Sequence, residues 1–284
     1  MIEIIFLIVG LFAVFFASIT DLKKREVPDW LSYGLIVGGL GMRIITSVSL
    51  SEWSYLLWGL FGFGVFFLVS NVMYYTKQWG GGDSKLLMGI GAVFGNGLMI
   101  QGLSVPSGWS FPLVFLLNVL LVGAVYGIFF TMGLAVKNWR LLVKSLKKAR
   151  KGVLKLSWIV FIFVSVLSFL LLRGWFGIVV AFGLFFLLLV HALFFVHLVE
   201  RVSLEKWIDV ASLTEGDWVL SEVKVGGKTL CKPSDIGLEK HQIELLKRYG
   251  VKKVLVKEGI PFVPSLFFAL LVTLVWGNLL LYLF

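Results

Sequence analysis

The chain has a single cysteine, Cys231, in 284 residues, which excludes a disulfide framework and any structural zinc site that needs several thiolates. Six prolines against 31 glycines exclude a collagen-like repeat. Charge is also scarce. Asp, Glu, Lys and Arg make up 15% of the residues, and only 16 of them are acidic. No cofactor motif and no metal-ligand cluster stands out, so neither is expected. What is abundant is apolar: 59% of the residues are hydrophobic and the mean hydropathy is +0.96. Such a chain lies outside the soluble class and reads as an integral membrane protein. Its net charge of +10 carries meaning only once it is placed on the connections between spans.

The apolar residues fall into eight runs of membrane-spanning length, near 4–19, 30–49, 54–75, 86–105, 111–136, 158–172, 176–198 and 263–284. The expected fold class is an all-α polytopic membrane protein with about eight transmembrane helices and a small cytoplasmic α+β insert. The first run follows Met1-Ile2-Glu3 with no basic residue, so it reads as a retained span and not as a cleavable signal. Only Arg173, Gly174 and Trp175 separate the sixth and seventh runs, and one long re-entrant element fits there almost as well. With the amino terminus outside, 24 of the 26 Lys and Arg fall on inside connections, leaving Arg43 and Arg173 outside. The expected location is a cell membrane, with the inside connections at its cytoplasmic face.

On this plan the chain divides into a membrane core over 1–136, a basic juxtamembrane segment over 137–157, an additional transmembrane hairpin over 158–198, a soluble insert over 199–260 and a last span over 261–284. The 137–157 segment holds eight Lys and Arg and no acid. With Leu141, Leu142, Val143, Leu146, Val153 and Leu154 interleaved, it is expected to lie on anionic lipid headgroups. A docking face for a soluble partner is the alternative, and nucleic acid is not an expected partner. In the insert, Trp218–Val225 and Lys228–Leu230 flank Gly226-Gly227, a hairpin signal. Leu238–Tyr249 predicts a helix ended by Gly250, and Val251–Lys257 a returning strand. Cys231 and His241 read as ordinary residues of this module, to which the sequence assigns no chemistry.

Six acidic residues lie outside the insert: Glu3, Asp21, Glu26, Asp29, Glu52 and Asp83. Glu3 and Glu52 sit at outside edges, Glu26 in a polar loop, and Asp29 after Pro28 predicts a helix N-cap. Asp21 falls within about a turn of the inner membrane edge, at the negative end of the first span, where a carboxylate is disfavoured. Pairing with Lys23, Lys24 or Arg25 is its structural alternative. Asp83 opens the fourth span on the same side, where helix capping is the alternative. Capping leaves Gly80-Gly81-Gly82 unexplained. Those glycines give the backbone access to φ > 0 and let an extended peptide approach closely. Fourteen of the 31 glycines fall within 34–97, including Gly34-x-x-x-Gly38 and Gly91-x-x-x-Gly95, which predicts a compact bundle there. His191 and His197, six apart, do not share a helix face.

Asp21-Leu-Lys-Lys-Arg-Glu-Val-Pro-Asp-Trp-Leu and Gly80-Gly81-Gly82-Asp83-Ser-Lys resemble the paired motifs of prepilin and preflagellin peptidases. These are membrane aspartyl proteases of the Gly-x-Gly-Asp type. Asp21, Val27, Pro28 and Leu31 match the first motif, and Gly80, Gly82 and Asp83 the second, with Lys85 and Leu86 following. The resemblance is clearest over 1–136, and Gly259-Ile260-Pro261-Phe262-Val263-Pro264 looks like the end of archaeal members. It implies a six-helix protease core with extra spans, Asp21 and Asp83 as catalytic residues, and Gly80, Gly81, Gly82 and Pro28 as substrate-binding or motif residues. It also implies a membrane-anchored precursor as partner, whose short basic leader is cut off before an apolar helix at the inner membrane surface. The two Cys-x-x-Cys pairs of bacterial members have no counterpart here, so the likeness is to archaeal members and methyltransferase activity is not expected.

Position alone leaves two other readings. Asp21 and Asp83 also fit a cation- or proton-coupled transporter, although such carboxylates usually lie near the midplane of repeated halves. The third reading is a membrane scaffold whose working part is the insert.

Overall fold

The computed structural model describes residues 2–95, 97–98, 106, 110–149, 152–171, 173–233 and 237–282. In chain order these form α1 (Ile2–Lys24), α2 (Asp29–Leu50), α3 (Ser54–Tyr75), α4 (Gly81–Phe94), α5 (Ser110–Lys137), α6 (Trp139–Lys148), α7 (Gly152–Leu171) and α8 (Phe176–Ser203). There follow β1 (Glu205–Asp209), β2 (Trp218–Val219), β3 (Val223–Val225), β4 (Lys228–Cys231), α9 (Lys240–Arg248), β5 (Lys253–Lys257) and α10 (Val263–Val275). Two compact units result: Met1–Gly127 with Ile208–Val254 and Glu258–Phe284, and Ile128–Trp207 with Leu255–Lys257.

The chain is a membrane protein by the character of its helices. Six of them, α1, α2, α3, α5, α7 and the Arg173–Ser203 stretch containing α8, are long and apolar enough to cross a bilayer. Among the described residues the expected eight runs therefore give six helices of spanning length, while α4 and α10 have 14 and 13 residues where a crossing takes roughly 20. Of the run expected over 86–105, residues 96 and 99–105 lie outside the described residues. The runs at 158–172 and 176–198 form two separate helices, with a 3-10 turn at Arg173–Trp175 ahead of the second. α7 begins six residues earlier than expected, since Val153, Leu154 and Leu156 prolong its apolar surface while the Lys155 amine can reach water along its stem.

In the first unit the short α4 is the centre of the core. Leu86, Leu87, Ile90, Val93 and Phe94 are all fully buried, packed with Val14, Ala17, Leu35, Phe66, Phe111, Leu266 and Leu270 of the surrounding helices, and Ala92 is fully buried beside them. A helix that is apolar on every side belongs inside a protein, and that is why α4 needs no spanning length. Glycine makes the close approach possible: a Cβ on Gly62 of α3 would stand 2.5 Å from the Gly91 carbonyl oxygen and 2.6 Å from Gly95 Cα. Of the expected glycine pairs, Gly91 and Gly95 serve this contact. Gly34 and Gly38 face open space instead, and Gly39 is the α2 glycine that packs, against Val93.

The insert begins after α8, which runs on to Ser203. Its β1, β5 and β2 form a sheet in that order, and β3 pairs antiparallel with β4 in the register Val225↔Lys228. Gly226 and Gly227 both have positive φ, as a two-residue hairpin turn requires. The strand expected over Trp218–Val225 is broken in two. Trp218 and Val219 join the three-stranded sheet, and only Val223–Val225 enter the hairpin, with an irregularity between Val223 and Lys224. α9 is shorter than expected at its start, where the Glu239 N–H donates to the Gln242 side chain at 2.9 Å and fixes the first turn.

In the second unit, Leu142 of α6 is buried with Ala135, Leu198 and Val199, and Asn138 Nδ2 donates to Ser203 Oγ at 3.0 Å. α7 and α8 pack as a hairpin, with Gly183 against the Phe161 ring and the Trp158 and His191 rings edge to face. Their other apolar side chains are mostly exposed, as lipid-facing surfaces are. Arg150 and Lys151 of the basic segment lie outside the described residues.

Candidate active site

Asp21 does not sit past the end of its helix. α1 continues through Lys24, and the Asp21 residue is 5% exposed. A carboxylate near a helix C-terminus meets the negative end of the macrodipole, so Asp21 needs a compensating partner. The structure supplies one from far along the chain: the Val263 backbone N–H donates to Asp21 Oδ2 at 2.9 Å, with the Phe262 N–H also directed at the carboxylate. These are the first amides of α10, orphan donors at the positive end of a helix. Arg25 ends α1 at φ +57, its N–H donating to the Asp21 carbonyl at 2.8 Å, and its guanidinium lies within electrostatic range of the carboxylate. The Tyr126 hydroxyl of α5 is within the same range.

Asp83 occupies the third position of α4, inside the first turn, while Gly80 takes the N-cap. Its Oδ2 accepts from the Gly80 backbone N–H at 3.1 Å, the backward half of a capping box. The glycines before it do not use left-handed backbone, as none of Gly80, Gly81 and Gly82 has a positive φ. They matter for space. A Cβ on Gly82 would stand 3.1 Å from Val27 Cβ, and one on Gly80 would stand 3.3 Å from Asp83 Oδ2. The start of α4 is thereby pressed against the loop that follows Asp21. Ser70 Oγ donates to the Ser84 carbonyl at 2.9 Å and ties the same turn to α3.

Pro28 occupies the N-cap position of α2 at φ −59, which leaves Asp29 inside the first turn and not at the cap expected for it. The Asp29 carboxylate receives Lys85 Nζ at 2.7 Å, and that amine also lies over the Tyr33 ring. Lys85 thus joins the α2 start to the α4 start. One helix end and three helix starts meet here, and they bring Asp21 close enough for its charge to act on the Asp83 carboxyl. Among the described residues no group of three or more His, Cys, Asp or Glu side chains gathers to hold a metal ion. His191 bonds to the Leu187 carbonyl of its own helix, and His197 is exposed.

Chemically, two carboxyls in mutual range, each also held by a backbone amide, can divide the roles of acid and base. Sequence reasoning placed Asp21, Asp83, Pro28 and the three glycines at one membrane edge but missed the residues that hold them. Trp79 does so from within the Asp83 loop, Arg25 was foreseen as a charge partner of Asp21 but not as the anchor of Glu258, and Glu258, Phe262 and Val263 reach the Asp21 loop from more than 230 positions away. The one signal was local: Pro261 and Pro264 bracket Phe262-Val263, and proline in a first turn marks a helix start.

Residues 8–128, which contain both aspartates, match the type IV leader peptidase family. The likeness seen in the two motifs is thus borne out over that stretch. Among curated proteins, the preflagellin peptidase of Methanococcus maripaludis is 34% identical over 86 residues, 30% of this chain and 37% of the relative. The preflagellin peptidase of Methanocaldococcus jannaschii is 31% identical over 122 residues, 40% of this chain and 50% of the relative. The prepilin peptidase EppA of Methanothermobacter thermautotrophicus is 26% identical over 130 residues, 42% of this chain and 33% of the relative. The chain therefore spans half or less of the length of these relatives. No solved structure matches it.

Proposed function

We propose that the chain is a membrane aspartyl endopeptidase that removes the short basic leader of prepilin- or preflagellin-type precursors at the cytoplasmic face, with Asp21 and Asp83 as its catalytic pair. What supports this reading is that Asp21 and Asp83 lie within electrostatic range of each other at joined helix ends, inside the stretch that matches the leader peptidase family. The orientation rests on the charge asymmetry of the connections. The extra membrane helices and the insert are additions to a protease core, and eight membrane-embedded helices result if α4 and α10 are counted with the six longer ones.

The chemistry follows from a carboxyl pair with one proton. The ionised carboxylate takes a proton from a bound water as the water oxygen bonds to the scissile carbonyl carbon. The protonated partner donates to the carbonyl oxygen, giving a tetrahedral diol. The leaving nitrogen then receives a proton from the carboxyl that accepted it from water, the C–N bond breaks, and the second carboxyl recovers its proton as the new acid forms. No covalent intermediate arises. Gly80, Gly81 and Gly82 carry no side chains between Asp83 and an extended leader, which passes there with its apolar helix still in the lipid. Purified protein in detergent, incubated with a precursor bearing a basic leader, is expected to cut once before the apolar helix. The proposal fails if several such precursors stay intact.

The anionic-lipid reading of 137–157 is also a proposal. Lys137, Arg140, Lys144, Lys147 and Lys148 make no ion pair among the described residues, and Trp139 is 60% exposed beside them. Each cation near a negative surface contributes about 1 kcal/mol, and an exposed tryptophan suits the headgroup layer. Replacing Lys144, Lys147 and Lys148 with Gln is expected to cut retention of phosphatidylglycerol, read by native mass spectrometry, without changing retention of phosphatidylcholine. Equal retention by both proteins would refute it.

A further inference from the structure

Between β5 and α10 the chain passes through Glu258–Phe262, and this strap touches both loops that carry the aspartates. On the Asp21 side, Arg25 Nη1 donates to Glu258 Oε2 at 2.6 Å and to the Gly259 carbonyl at 3.2 Å, while Val263 gives its N–H to Asp21 itself. Arg25 makes these contacts from φ +57, a backbone conformation that glycine would adopt with less strain. On the Asp83 side, the Phe262 ring lies 5.3 Å from that of Trp79, the residue before the glycine run. Space for the ring is reserved from a third direction, since a Cβ on Gly123 of α5 would stand 3.2 Å from Phe262 Cε2. The insert adds a separate contact to the same loop, Lys77 Nζ donating to the Pro233 carbonyl at 3.3 Å.

We propose that Glu258–Val263 is the positioning element of the aspartate pair, fixing Asp21 through Val263 and the Arg25–Glu258 ion pair, and the Asp83 loop through Phe262 seated between Trp79 and Gly123. One backbone segment then sets both carboxylates at once, and two loops some 60 residues apart in sequence keep a constant relation. The soluble insert is thereby given a task, because the strap is its exit. Apart from the backbone amides that hold the Asp21 carboxylate, nothing in the strap touches the reacting groups; its side chains act through Arg25 and through the Asp83 loop. A displacement of about 1 Å at a reacting group lowers rates by as much as about 100-fold, so loosening the strap affects turnover more than substrate affinity.

This inference rests on the protease reading for its kinetic consequence but not for its contacts, and the test separates the two. In the full chain in detergent, Phe262→Ala, Phe262→Tyr and Glu258→Gln are compared with wild type. The two readouts are cleavage kinetics and hydrogen–deuterium exchange of peptides covering 20–26 and 77–86. Phe262→Ala is expected to lower kcat roughly 10- to 100-fold with KM changed less than about threefold. Exchange over 77–86 is expected to rise, and Phe262→Tyr to restore both. Glu258→Gln is expected to raise exchange over 20–26 and to lower kcat less. If wild type cleaves no precursor, the proposed function fails, while exchange alone still decides the strap. Unchanged exchange over 77–86 in Phe262→Ala overturns it, as does full kcat in that variant. Should Phe262→Ala fail to fold, Glu258→Gln decides the matter through 20–26 and kcat, and unchanged values of both overturn the strap.

Discussion

Asp83→Asn is expected to fold like the wild type and to cleave about 1,000-fold more slowly, within the range that a positioned acid or base contributes. The substitution is informative because asparagine retains a side-chain oxygen that can accept the Gly80 N–H now bonded to Asp83 Oδ2 at 3.1 Å. What it removes is the exchangeable carboxyl proton and the charge. Asp83→Ala removes the acceptor as well and should lower stability by about 1 kcal/mol more, the usual worth of a helix-start bond. The same logic separates the roles of Asp21. Asp21→Asn keeps an acceptor for the Val263 N–H, whereas Asp21→Ala leaves that buried donor without one, at a cost of about 1–3 kcal/mol. Thermal midpoints in detergent and initial cleavage rates, measured on all four variants, decide between chemistry and capping. If the asparagine variants keep more than a tenth of wild-type turnover, the two aspartates are capping residues and the protease reading loses its catalytic pair.

Much of this site was legible because its elements are local. Asp21 and Asp83 stood out by elimination: a chain with only six acidic residues outside its insert leaves few to explain, and two lay at the same edge, Asp21 where a carboxylate is disfavoured and Asp83 where capping left three glycines unexplained. The hairpin at Gly226-Gly227 and the α9 and β5 elements were readable for a similar reason, since turn chemistry and periodicity act over a few residues. What the sequence did not reveal is long-range. The excuse for Asp21 exists after all, 242 positions later at Val263; the prolines there mark a helix start, but nothing in the sequence directs that start at Asp21. Of the two uses expected of the glycine run, left-handed backbone does not occur and close approach does, against Val27 and the Asp83 carboxylate, because a glycine at an ordinary φ looks the same in sequence as one at a positive φ. Six of the eight apolar runs give helices of spanning length among the described residues, and α4, whose apolar residues are surrounded by protein, is shorter. Composition cannot distinguish that surrounding from lipid.

Arg43→Met is expected to be the most destabilising substitution in the first unit, by about 3 kcal/mol. Charge counting treated Arg43 as one of two stray cations on the outer side, but it is 2% exposed and fully engaged. Its Nε donates to the Ala92 carbonyl at 2.9 Å, Nη2 to that of Val93 at 2.7 Å and Nη1 to that of Tyr55 at 2.9 Å, while the guanidinium lies over the Phe6 ring. Ala92 and Val93 stand in the last turn of α4, whose final carbonyls have no partner within the helix. The guanidinium thus satisfies them and places a positive charge at the negative end of the macrodipole. Methionine replaces the aliphatic stem but not the guanidinium and donates nothing, so several buried acceptors are stranded together. Arg43→Lys keeps the charge without the planar fork and should lose less, about 1–2 kcal/mol. Because α4 carries Asp83 at its opposite end, both variants should lose cleavage in step with their thermal midpoint, whereas Asp83→Asn loses cleavage alone. An unchanged midpoint for Arg43→Met would mean that the α4 carbonyls find other donors and that this arginine does not hold the helix on which the second aspartate is mounted.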